Sequence, residues 1–62
     1  MAIPERCDRV LTLLTMLKRY DAIVRQNTFT KDALAEMKQN CKDLIRDAKA
    51  ELDEVKREVN SW

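Results

Sequence analysis

The sequence predicts an all-α fold: an antiparallel helical hairpin, with two hairpins assembling into a four-helix bundle. Three observations predict it. The chain of 62 residues has no glycine and a single proline, Pro4, so glycine-dependent β-turns have nothing to form from. Its commonest residues are good helix formers. Two stretches of helical periodicity flank one polar break at Arg25–Phe29. At this length the chain is one small domain, 1–62, in the size range where a lone core is marginal and a partner, metal or disulfide usually helps.

Helix 1 is expected over about 4–25. Pro4 suits a first turn, where its missing N–H costs nothing. Glu5 and Asp8 then face the positive end of the helix dipole, and Glu5 and Arg9 form an i,i+4 pair in the favourable order. The most apolar run of the chain, Val10–Leu17, lies at the helix centre. At ~100° per residue, Ile3, Cys7, Val10, Leu14, Leu17 and Val24 make one stripe for the hairpin partner. Leu13, Met16, Tyr20 and Ile23 lie beside it, and Leu11 is on the far flank. The combined arc is roughly 240°, more than one neighbouring helix covers.

The turn is expected at 26–30. Asn27 is the candidate left-handed C-cap in a chain without glycine. Thr30 reads as the N-cap of helix 2, with Asp32 in its first turn and Thr28 as the alternative cap. Phe29 and Leu34 match a hydrophobic staple. So short a break folds the helices back antiparallel.

Helix 2 is expected over 31–60. Its apolar stripe runs through Leu34, Met37, Cys41, Ile45, Ala48, Leu52, Val55, Val59 and Trp62 with mostly heptad spacing, and Asp53–Arg57 supports its polar face. A turn near Thr28 sets Leu17 against Cys41, Leu14 against Leu44 and Val10 against Ala48. Helix 2 then overhangs by about 12 Å, with Val59 and Trp62 on the overhang.

These residues exclude several functions. Charged residues are 37% of the chain and the net charge is +1, so no global field favours nucleic acid. No apolar run approaches the ~20 residues that span a bilayer. No signal peptide is apparent, and cytoplasmic is the default location. Without histidine or glycine there is neither the commonest general base nor a phosphate-cradling loop; no catalytic residue, cofactor or metal is assigned, and the chain is read as not an enzyme. Cys7 and Cys41 lie ~15 Å apart along the hairpin axis, too far for a disulfide that needs Cα atoms within ~7 Å. They are read as buried thiols acting as small hydrophobes.

The function expected is a non-enzymatic interaction, scaffold or small regulatory module. Its second interface, for another copy or a protein partner, is Leu11, Leu13, Met16, Tyr20 and Ile23, with Val59 and Trp62 at its end. The expected partner is a second copy, a dimer first. The alternatives are the non-catalytic small subunit of a larger hetero-complex and a nucleic-acid-binding regulator using Arg9, Lys18, Arg19 and Arg25. Nucleic acid and membrane are both disfavoured.

In architecture the chain is similar to Rop-type regulators, whose short helical hairpins dimerise into four-helix bundles and bind paired RNA; no residue motif carries that function over. The segment Phe29-Thr30 through Leu44-Ile45 to Leu52-Asp53-Glu54-Val55 resembles the small subunit of exonuclease VII, another non-catalytic hairpin. That family tends to carry a glycine at its turn, where this chain has Asn27, and no site residue is transferred.

Overall fold

The computed structural model describes residues 2–62; of the chain's N-terminal segment, only Met1 lies outside them. Two helices make the fold, α1 (Ile3–Gln26) and α2 (Lys31–Asn60), packed against each other as an elongated hairpin of 48 × 16 × 11 Å. α1 begins one residue before Pro4, which occupies its first turn. The Ala2 carbonyl accepts from the Arg6 N–H at 3.0 Å, and no side chain caps this end.

The turn, Asn27–Thr30, is closed by side chains at both ends. Thr30 is the N-cap of α2, its hydroxyl accepting from the Ala33 N–H at 3.2 Å, which satisfies one orphan donor of the first turn. Asn27 follows α1 but is not left-handed. Its backbone is extended, at φ −135 and ψ 160, and no described residue has positive φ. Its side-chain amide instead donates to the Ile23 carbonyl at 3.0 Å. A side-chain cap thus replaces the backbone cap that asparagine otherwise provides by visiting the left-handed region.

Cross-helix pairs establish the antiparallel register. Arg6 and Arg9 both reach Glu51, and Asn40 donates to the Tyr20 hydroxyl at 3.3 Å. This is the register expected from a turn near Thr28. The rotation of each helix about its own axis is not the expected one. The α1 residues withdrawn from solvent are Ile3, Arg6, Val10, Leu13, Leu17 and Tyr20, a strict heptad seam. Leu13 therefore turns inward, while Leu14 and Cys7, both expected in the stripe, are exposed. On α2 the seam runs through Met37, Cys41, Leu44, Ala48, Glu51, Val55 and Glu58. Ile45, Leu52 and Val59 are displaced to its edge and exposed.

Little is buried in consequence. Val10 at 8% exposure and Ala48 at 7% are the whole apolar core among the described residues. Two of the expected local ion pairs are also replaced. Arg9 pairs with Glu51 rather than Glu5, and Arg57 pairs with Glu54 rather than Asp53.

Candidate interaction surface

The surface that can do chemistry with another molecule is apolar, and the seam divides it into two sides. On one side, Leu17, Tyr20, Val24, Leu34, Met37 and Cys41 line an open groove of about 370 Å³ near the turn, with Asp21 and Lys38 at its edges. Residues seven apart lie within about 20° of one another on a helix. Stepping back from Asp21 by sevens therefore leads along this same side to Leu14 and Cys7. Stepping forward from Lys38 leads to Ile45, Leu52 and Val59. The groove at the turn thus continues as an exposed apolar strip along the length of the hairpin.

The opposite side is smaller. Met16, Arg19, Tyr20 and Ile23 line a shallow depression of about 170 Å³ on α1. Arg9, Met16 and Ile23 are seven apart, so they share the side on which Arg9 reaches Glu51 and Tyr20 meets Asn40.

The residues expected to form one second interface are accordingly distributed over both sides. Leu11, at 61% exposure, flanks the longer strip, whose far end carries Val59. Met16 and Ile23 are exposed on the shorter side, and Leu13 and Tyr20 are half-buried in the seam. Trp62 lies beyond the end of α2 at 85% exposure, its backbone N–H donating to the Val59 carbonyl. The cause is the seam rotation: one residue of shift turns a helix by about 100° and changes which stripe is left outside.

The four basic residues considered for nucleic acid are also separated. Arg9 pairs with Glu51 at 2.8 Å and Arg25 with Asp21 at 3.0 Å, while Lys18 and Arg19 project about 100° apart. No continuous basic stripe forms from this set.

The polar residue that sequence reasoning missed is Glu51. It occupies a seam position, its side chain only 15% exposed, and accepts from Arg6 at 3.0 Å and from Arg9 at 2.8 Å. The Arg9 hydrogen bond, with that of Arg6, holds its carboxyl below the ordinary glutamate value against the opposing effect of desolvation. Its heptad spacing from Leu44 and Glu58 was the available signal.

Both cysteines are free, Cys7 exposed on the longer side and Cys41 half-buried in the groove. Exposure of Cys7 corrects the expectation of two buried thiols, again because the seam passes through Arg6 instead. Among the described residues no cluster of carboxylates and cysteines is placed to hold a metal ion. No helix among them is long and apolar enough to cross a membrane. Set against models of protein families, curated proteins and solved structures, the chain matches none.

Proposed function

We propose that this chain is a non-enzymatic protein-interaction module, a helical hairpin whose incomplete core is closed by another polypeptide. The observation that carries this reading is its surplus of surface. A compact monomer of 7.3 kDa exposes about 4,200 Å², whereas this hairpin exposes 5200 Å². The excess, on the order of 1,000 Å², is comparable with the ~800 Å² that each partner loses in a standard protein interface. Large apolar side chains are exposed on the hairpin, Leu11, Leu14, Ile45 and Leu52 among them, in a strip of the kind that marks interaction sites.

Two assemblies close that strip. A second hairpin gives a dimeric four-helix bundle, in which the heptad row Ile45–Leu52–Val59 meets its own copy across a two-fold axis. A helix from a different chain gives a three-helix arrangement and makes this protein the small subunit of a hetero-complex. Light scattering and circular dichroism over a dilution series test the reading. The expected result is either a mass above the monomer or a weakly cooperative monomer that gains structure only with a partner. A monomer that folds cooperatively and stably at every concentration overturns it.

A further inference from the structure

The charges that border the longer apolar strip are mostly basic: its acids are Asp21, at the groove and paired with Arg25, and Asp53 on α2. Lys42, Lys49 and Lys56 fall within about 40° of one another on α2, immediately outside the row of Ile45, Leu52 and Val59, and Lys38 heads that row at the groove. Lys18 lies outside Leu14 on the facing rim of α1, four residues further along the helix. The carboxylates of α2 are mostly elsewhere. Asp43, Asp47 and Glu54 lie on the other side of the seam and Glu51 and Glu58 within it, leaving Asp53 as the acid of this stretch beside the lysine row. Ion pairing sharpens the contrast. Among the described residues every ion pair is made by an arginine, and no lysine has a carboxylate partner.

We infer that this strip is a docking groove for an amphipathic helix of another protein, one whose apolar stripe is flanked by glutamate and aspartate. The inference rests on the interaction-module reading and names the partner's chemistry. Charge complementarity carries it. A helix laid along the strip sets its flanking residues against Lys38, Lys42, Lys49 and Lys56, where acids gain attraction and bases are repelled. The same layout disfavours a second copy. In a two-fold contact centred between Ile45 and Leu52, Lys49 meets Lys49 of the other copy and Lys42 meets Lys56, with Asp53 of each copy as the acid nearest them. The shape also suits a helix. The strip is concave at the turn, where the groove beside Leu34 and Cys41 is deep enough to take apolar side chains, and knobs entering holes is how helices pack.

The test uses the full chain and two synthetic helix-forming peptides, each three heptads long with leucine at the core positions. One has glutamate at the flanking positions and the other lysine. The glutamate peptide is expected to bind one to one, at least about tenfold more tightly than the lysine peptide, a difference near 1.4 kcal/mol. Raising the salt should narrow that gap. K42E/K49E/K56E should reverse the preference, and the neutral K42Q/K49Q/K56Q should abolish it. Circular dichroism checks that both variants stay helical.

Equal affinity for the two peptides, or binding of neither, overturns the inference. So does tighter binding to vesicles of phosphatidylserine or to a short RNA duplex than to the glutamate peptide. A homodimer that excludes the peptide overturns it too, yet leaves the interaction-module reading intact. A stable monomer that binds nothing removes both.

Discussion

The Arg6 guanidinium donates to the Glu51 carboxylate across the two helices at 3.0 Å, at seam positions whose neighbours in the seam are Val10, Ala48 and Val55. Arg9 reaches the other oxygen of the same carboxylate at 2.8 Å. Polar residues at core positions of paired helices set register at some expense in stability. In this hairpin the pair ties the open end together, far from the covalent turn.

Removing Glu51 alone leaves two guanidiniums without their acceptor. Glu51→Ala is expected to lower the melting temperature, and Arg6→Leu with Glu51→Leu together to recover it or exceed it. Thermal melts by circular dichroism check both. A double variant that melts below Glu51→Ala would show that the pair contributes more than the apolar contact replacing it.

Acid should act through the same carboxylate. The folded-state value of Glu51 is depressed, chiefly by its hydrogen bond from Arg9. Its contribution to stability is therefore fully present above the unfolded value of about 4.3 and is lost as pH falls through the lower folded value. Denaturant midpoints measured from pH 7 down to about 2 should fall below that range, and Glu51→Gln should flatten that part of the curve.

Leu13 and Leu14 separate the two possible seams of α1. Leu13 is half-buried and Leu14 is exposed. Leu13→Ala should cost about 1–2 kcal/mol, below the range for a fully buried leucine. Leu14→Ala should cost no more than about 0.5 kcal/mol in the isolated chain. Urea melts of the two variants at a concentration where the chain is monomeric measure this, and the opposite order overturns the seam.

The two caps of the turn differ in kind. Thr30→Ala removes the acceptor of the Ala33 N–H and should cost about 1 kcal/mol. Asn27→Gly brings no gain, since the backbone there is extended. It loses the amide bond to the Ile23 carbonyl and adds freedom to the unfolded chain, so it should destabilise by about 0.4–1 kcal/mol. Chemical denaturation resolves both.

Overpacking the centre is the complementary experiment. Ala48 is one of the two buried residues of the seam. Ala48→Leu should force the helices apart and cost about 1–3 kcal/mol, read as a lower denaturation midpoint. An unchanged midpoint would mean that the helices are not closely packed there.

Much of the fold was legible before any coordinates. Pro4, the polar break before Thr30 and the absence of glycine place two helices and one turn, because these are local effects of backbone sterics and capping. The surplus of apolar surface was legible too, since an arc of roughly 240° exceeds what one neighbour covers. That same arc concealed the seam. With apolar residues on most of α1, stripes through Leu13 and through Leu14 are equally good by periodicity. The Glu51 pairings were equally hidden, because Arg6 and Arg9 are remote from it in sequence and Glu5 offered Arg9 a nearer partner.

The sequence by itself determined the helices, the turn and the antiparallel register, all of which follow from local propensity, capping and the shortness of the polar break. Only the tertiary structure decided how each helix is rotated about its axis. That rotation depends on contacts across the hairpin, at Val10, Ala48 and the Arg6–Glu51 pair, which no local pattern encodes. It carries Ile45, Leu52 and Val59 out of the seam and leaves them exposed, so that the lysines spaced beside them in the sequence border an open apolar strip.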